Sequence, residues 1–232
     1  KNYILLNFFL FLSFNLFSQD LIISGVYDGP LSGGKPKGVE LYVKADIADL
    51  SSYGLGSANN GGGTDGQEYT FPSDSASAGD YIYVVNSGND DEFLSYYGFA
   101  ANYMHGSMGI NGDDAIELFY NSSVIDTYGD PNTNGDGQAW DYTDSWAYRV
   151  NNTGPDASWV QNNWTYSGAN AVDGCTTNNG CSSVMPVKTF NKLSVSSGTT
   201  TISTNASYDV VVVTGGTLTI NKDASLTVKM SF

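Results

Sequence analysis

Apolar and polar side chains alternate along most of this chain, in short runs separated by segments rich in Gly, Asn and Ser. The clearest runs are 39–43 (VELYV), 81–85 (YIYVV) and 115–120 (AIELFY), which combine β-branched and aromatic residues. A period of two is typical of half-buried β-strands bounded by turns. We therefore predict an all-β fold, and we expect Glu40 and Glu117, which alternate with apolar neighbours, to face water or to cap a strand edge.

Residues 90–97 (DDEFLSYY) depart from this alternation and predict the one short helix of the chain. Asp90, Asp91 and Glu92 place negative charge in the first turn, where the helix dipole favours it. Gly98 follows directly, and glycine commonly ends a helix.

After Pro186 the composition changes to largely Ser, Thr and Val, in short runs at close spacing such as 217–220 (TLTI). Such runs resemble the rungs of a β-solenoid or a repeat stalk. We predict a sandwich domain over 19–188 and a repeat-like β segment over 189–232. Because an uncapped stack leaves an open edge, we expect the polypeptide to continue beyond Phe232.

Residues 1–18 have the order of a secretory signal peptide, with a positive start at Lys1, an apolar run over 3–12 and a small residue at Ser18. An uncleaved membrane anchor is the alternative, but polar residues interrupt the apolar run, at Asn7, Ser13 and Asn15. We therefore predict cleavage after Ser18, a secreted or cell-surface location, and no membrane segment after cleavage.

The charge of the chain narrows the classes of partner. It carries 24 Asp and Glu against 9 Lys and Arg, for a formal net charge of −15. Phosphate binding needs Lys and Arg, so direct binding to nucleic acid or to an anionic membrane is not expected. Divalent cations and neutral glycans are compatible with such a surface.

Cys175 and Cys181 are the two cysteines of the chain, and they flank a TTNNG segment. Oxidising conditions outside the cell and the tight-turn dipeptide Asn-Gly favour a small disulfide-closed loop. Metal binding by these cysteines would need partner ligands that are missing nearby. We predict the disulfide Cys175–Cys181.

The segment 130–141 (DPNTNGDGQAWD) has oxygen-bearing side chains at alternate positions and a glycine at the bend, as in calcium-binding loops. The candidate ligands of a Ca²⁺ ion are Asp130, Asn132, Asn134, Asp136 and Asp141. The closing residue is Asp rather than Glu and no flanking helices are evident. An acidic Asn-Gly turn without metal is therefore the alternative.

Aromatic residues concentrate between residues 140 and 166. Exposed tryptophans on a sandwich can stack against sugars, which makes candidate ligand-binding residues of Trp140, Trp146, Trp159 and Trp164. The alternative is core packing, which we favour because large aromatic side chains dominate the interiors of such folds.

No group of residues predicts a catalytic site. Asp113 and Asp114 are adjacent, so on a strand they would point to opposite faces, and we expect them in a solvated loop. His105 is the one histidine, which excludes zinc sites that need several histidines and leaves no identifiable nucleophile triad. We expect a histidine in a loop or on the surface, and a protein that is not an enzyme.

Five segments in order resemble the lamin-tail domain of secreted bacterial proteins. They are 21–28 (LIISGVYD), 38–42 (GVELY), 49–55 (DLSSYGL), 78–84 (AGDYIYV) and 111–118 (NGDDAIEL), followed by 124–126 (VID). The resemblance covers roughly 21–186 and implies an immunoglobulin-like β-sandwich without catalytic residues of its own. Domains of this family often accompany extracellular nucleases, phosphatases or other surface enzymes.

These observations predict a non-catalytic extracellular binding or anchoring module. Its expected partners are neighbouring modules of the same protein, a surface glycan or a protein ligand. Two alternatives stay open. The first is a calcium-dependent carbohydrate-binding domain, and the second is an accessory module of a secreted nuclease or phosphatase whose catalytic domain follows Phe232.

Overall fold

The computed structural model describes residues 20–188, 192–195, 197–208, 210–213 and 215–228. The predicted signal peptide lies outside these described residues. Within them, no helix has the length and apolar character that crossing a bilayer requires.

Ten strands form a sandwich of two sheets. In chain order they are β1 Leu21–Asp28, β2 Gly38–Val43, β3 Tyr53–Ala58, β4 Tyr69–Thr70, β5 Tyr81–Val85, β6 Tyr103–Met104, β7 Ala115–Tyr120, β8 Ser123–Tyr128, β9 Ser145–Arg149 and β10 Trp164–Tyr166. One sheet has the order β10-β9-β1-β2-β5-β6 and the other the order β4-β3-β7-β8. Neighbouring strands are antiparallel, except that β5 and β6 are parallel.

The apolar core lies between the two sheets. It takes side chains from alternate positions of facing strands, among them Ile23, Val39, Leu41, Leu55, Ile116 and Leu118, all completely buried. The all-β sandwich predicted from the alternating runs is confirmed, and each of the three clearest runs is a strand.

The outer faces of both sheets are covered at the positions of Glu40 and Glu117. The expectation that these two side chains face water is therefore wrong. Their side chains are 0% and 4% exposed. A carboxyl group that alternates with apolar residues faces away from the core, but here that second face is also covered. Thr64, from the long loop between β3 and β4, hydrogen-bonds Glu117.

Helix α1, Asp90–Tyr97, lies where the sequence predicted it. Its first turn carries the three acidic residues, and Gly98 ends it in a left-handed conformation (φ 84°) that few other residues adopt. The apolar side of α1 packs on the outer face of the six-stranded sheet through Phe93. Short 3-10 segments occur at Leu50–Ser52, Asn59–Gly61, Gly106–Met108, Gln161–Asn163 and Asn178–Gly180.

The Thr- and Val-rich tail forms six short strands that pair in parallel. They are β11 Lys192–Val195, β12 Thr199–Ile202, β13 Ala206–Tyr208, β14 Val210–Val213, β15 Thr217–Ile220 and β16 Leu226–Val228. The pairs are β11 with β14, β12 with β15 and β13 with β16. Three consecutive strands are thus stacked on the next three, which is the arrangement of two successive solenoid rungs.

Candidate functional site

The outer face of the six-stranded sheet is open beside the part that α1 covers. A groove of about 440 Å³ lies there, and a volume of this size suits a small ligand or one to two sugar units. We call it the tyrosine groove. Its lining includes Tyr42, Tyr81 and Tyr148 from three different strands, with Lys44, Lys188 and the segment 150–154 around them.

The three tyrosine rings are brought together by strand register. Tyr42 on β2 and Tyr81 on β5 are cross-strand partners, and their ring centroids are 5.0 Å apart. Tyr148 on β9 lies opposite Gly25 of β1. A side chain at Gly25 would meet the Tyr148 ring at 3.2 Å, so the glycine makes room for that ring to lie across the sheet. All three rings are partly exposed.

Glu40 lies beneath the groove and holds the ring of Tyr148 in place. Its carboxylate accepts hydrogen bonds of 2.6 Å from the hydroxyls of Ser24, Tyr83 and Tyr148. Burial raises the pKa of Glu40, and the three hydroxyl donors offset part of that rise. The hydroxyl of Tyr83 also accepts a 2.9 Å hydrogen bond from the backbone N–H of Lys188, which fixes the groove's edge.

The residues predicted to bind calcium lie in one exposed loop and hydrogen-bond mainly to that loop. The carboxylate of Asp130 accepts from the N–H of Asn132 at 3.0 Å, and Asn134 accepts from the N–H of Asp136 at 2.8 Å. Asp141 accepts from the N–H of Gly137 at 2.9 Å. Across the described residues, no three acidic, histidine or cysteine side chains are grouped as metal ligands. Calcium binding stays a prediction.

The four tryptophans do not form one ligand-binding face. Three of them surround Tyr128, with ring-centroid distances of 4.7 Å to Trp164, 5.0 Å to Trp159 and 6.1 Å to Trp140. Trp140 and Trp164 are only 4% and 5% exposed, which fits the core packing favoured from the sequence rather than stacking on sugars. Trp159 is partly exposed, and Trp146 packs with the aromatic cluster around α1.

The predicted disulfide between Cys175 and Cys181 is confirmed. The loop that it closes contains Asn178, whose side chain accepts from the N–H of Met185 at 2.9 Å and donates to its carbonyl at 3.0 Å. Met185 is buried against the outer face of the six-stranded sheet. The disulfide loop therefore positions the segment that leads to Lys188 and the groove.

Asp114 and His105 are two further polar residues considered in the sequence analysis, and one is buried while the other is partly exposed. Asp114 was expected in a solvated loop, but it is 1% exposed, and its carboxylate accepts from the N–H groups of Asn60 and Asn111 at 2.8 and 3.2 Å. The carboxylate thus holds two loops together. His105 is a partly exposed loop residue, as expected, and its Nδ1 lies 2.8 Å from the hydroxyl of Ser107 in a short local turn.

Reasoning from the sequence did not identify the tyrosine groove. Tyr42 and Tyr81 each lie in an alternating run that predicted a strand, on the side away from the core. That outward aromatic position was the available signal. Periodicity shows which side of its own strand a residue occupies, but not which strands are neighbours or in what register they pair.

Comparisons of the chain with protein-family models, with curated proteins and with solved structures found no match. The geometry of the groove is therefore the main basis on which a function is proposed.

Proposed function

We propose that this chain is a non-catalytic extracellular module that binds a glycan in the tyrosine groove and thereby anchors or presents the protein to which it belongs. The observation that carries the proposal is the set of three partly exposed tyrosine rings on one sheet face. A pyranose ring has an apolar C–H face that packs on an aromatic ring, while a tyrosine hydroxyl supplies a polar contact at the edge.

The polar lining of the groove supports the same proposal. Asn151, Asn152 and Thr153 form one wall, and their side chains offer donors and acceptors to sugar hydroxyls. Of the described residues that line the groove, none is an Asp, Glu, His or Cys, so the lining offers no carboxylate, imidazole or thiol for acid–base or nucleophilic chemistry. Binding without chemistry is the function that fits this lining.

The extracellular location is proposed from features outside the groove. The signal-peptide pattern of residues 1–18 predicts export, and a disulfide is compatible with an oxidising compartment. The ordered resemblance to lamin-tail domains adds the proposal of an accessory role beside other modules. Attachment to a glycan is a suitable task for such a module.

The test is a binding screen of the purified protein on a glycan array, followed by titration of the best glycan. We expect Tyr81→Ala to weaken binding by about tenfold, because one stacking ring is removed. Tyr166→Ala is the matched control, since this tyrosine is also partly exposed but does not line the groove. Absence of binding to any glycan, or equal loss in both variants, would contradict the proposal.

A further inference from the structure

We propose that the ligand of the tyrosine groove is an acidic polysaccharide, whose carboxylate or sulfate groups are bound by Lys44 and Lys188. This inference rests on the proposed function, because it assigns a chemical class to the glycan. The tyrosines supply stacking that any pyranose can use, and the two lysines supply the selection for charge.

The charge of the groove is opposite to the charge of the protein. The chain has 24 acidic residues and 9 basic ones, yet the charged residues that line the groove are Lys44, Arg149 and Lys188. The carboxylate of Glu40, beneath the groove, is fully buried and accepts three hydroxyl donors. An anion in the groove therefore meets cations and neutral polar groups.

Of the three cationic side chains that line the groove, only two can bind an anionic ligand. The guanidinium of Arg149 is buried, and its Nη2 lies 2.7 Å from both carboxylate oxygens of Asp126. Its Cζ lies 4.4 Å from the centroid of the Trp164 ring. Lys44 and Lys188 are exposed, and neither forms an ion pair with another residue in the described part of the chain. Within that part of the chain, no carboxylate compensates their ammonium groups beside the rings.

The backbones that carry these lysines are held in place. Lys44 directly follows β2, and its N–H donates to the carbonyl of Asp20 at 2.6 Å. The backbone N–H of Lys188 donates to the hydroxyl of Tyr83. The flexible stems can then direct each ammonium group to the edge of a sugar stacked on Tyr42 and Tyr81, where carboxylate and sulfate substituents lie.

The net charge of the protein does not prevent such binding. At physiological ionic strength, interactions between charges farther apart than about 8 Å are largely screened. The local charge of the groove therefore determines whether an anionic ligand is attracted to it. A polysaccharide with one charge per sugar has a lower charge density than a nucleic acid, which carries one charge per about 1.7 Å of duplex. Repulsion by the acidic surface is therefore weaker for the polysaccharide.

The experiment compares probes that differ in charge alone. Polygalacturonate is paired with its carboxyl-reduced form, and dextran sulfate with dextran. We expect binding to at least one acidic probe to be about tenfold tighter than to its neutral partner. Lys44→Ala and Lys188→Ala should each lose about tenfold on that acidic probe, a larger factor than either variant loses on the neutral partner.

Lys222→Ala is the matched control, because this exposed lysine does not line the groove. A melting temperature equal to that of the wild type shows that each variant is folded. A preference for the carboxylated or for the sulfated probe supports the inference and identifies the anionic group. Equal binding of acidic and neutral probes overturns the inference and leaves the proposed function standing. Binding to a DNA duplex but to no glycan overturns both.

Discussion

Arg149 and Asp126 form a buried ion pair that also binds the backbone of Ile23. Nη2 of Arg149 lies 2.7 Å from both carboxylate oxygens, and the two side chains are 3% and 0% exposed. Nε of Arg149 donates to the carbonyl of Ile23 at 2.6 Å, and Asp126 accepts from its N–H at 2.8 Å. Asp126 is on β8 and Arg149 on β9, so the pair joins the two sheets.

The pair has a specific structural cause. A bulge between Ile23 and Gly25 interrupts the register of β1, and β9 pairs with β1 only from Gly25 onward. The N–H and C=O of Ile23 would otherwise be buried without a strand partner, which is costly. The carboxylate and the guanidinium supply that partner and neutralise each other.

Arg149→Met should lower the free energy of unfolding by about 3–5 kcal/mol, because it leaves a buried carboxylate without its cation. Denaturant titration measures the change. The exposed pair Lys35–Glu92, with side chains 32% exposed, provides the control: Lys35→Met should cost under about 1 kcal/mol. The double variant Asp126→Leu/Arg149→Met should be more stable than the sum of the single changes predicts. Strict additivity would contradict the coupling.

Stability should depend on pH through Asp28. Burial raises the pKa of Asp28 to about 6 from 3.8, and the cation of Lys37, at 3.4 Å, offsets only part of that effect. A raised pKa means that the folded state holds the proton more tightly. The stabilisation of the folded state by protonated Asp28 is therefore complete below pH 3.8 and is lost as the pH rises through about 6.

Asp28→Asn mimics the protonated form and should remove this dependence. The variant and the wild type should be similarly stable at pH 4, and the variant should be more stable at pH 7, by up to about 3 kcal/mol. Denaturation curves across this range measure the difference. Asp223→Asn, at an exposed position, is the control for the loss of one charge. A difference between Asp28→Asn and wild type that does not vary with pH would count against this prediction.

Calcium should raise the melting temperature if the loop of residues 130–141 binds it. A ligand at 100 times its Kd stabilises the folded state by about 2.7 kcal/mol, and Asp130→Asn should abolish this gain. Thermal unfolding in EDTA and in excess Ca²⁺ provides the comparison. Identical melting temperatures would leave the oxygens of the loop with the hydrogen-bonding role described above.

Loss of the disulfide should have a modest effect. Replacing both Cys175 and Cys181 by Ser should lower the free energy of unfolding by about 2 kcal/mol, since the closed loop is short. Asn178→Ala in the intact loop should also loosen the segment at Met185. Proteolysis near residue 185 and denaturant titration measure the two effects. Unchanged stability of the double variant would contradict the prediction.

Export should remove the first eighteen residues. Expression of the chain with residues 1–18 included should yield a secreted or surface-bound protein that begins at Gln19. Amino-terminal sequencing identifies the cleavage point. A protein that retains Lys1 and stays with the membrane fraction would instead support the uncleaved anchor.

Local features were predictable because local residues cause them. The run 81–85 predicted β5, the acidic turn and Gly98 predicted α1, and the short spacing of Cys175 and Cys181 predicted their disulfide. In each case the residues that determine the feature are close together in the chain. The same is true of the short runs rich in Ser, Thr and Val that predicted the strands of the tail.

The burial of polar residues was not predictable in the same way. Glu40 and Asp114 have the local setting of solvated residues, yet both are buried by segments distant in sequence. Glu40 is covered because Tyr83, Tyr148 and the segment at Lys188 meet on one sheet face. No periodicity within β2 carries that information.

The sequence by itself determined the all-β class, the strands of the clearest alternating runs, the helix and the disulfide, because each follows from propensities and spacings within a few residues. Only the tertiary structure decided which outward-facing side chains form a site. Tyr42, Tyr81 and Tyr148 become neighbours through strand pairing across 106 residues, from 42 to 148. Register between distant strands is set by the packing of the whole sandwich, and so is the groove that it creates.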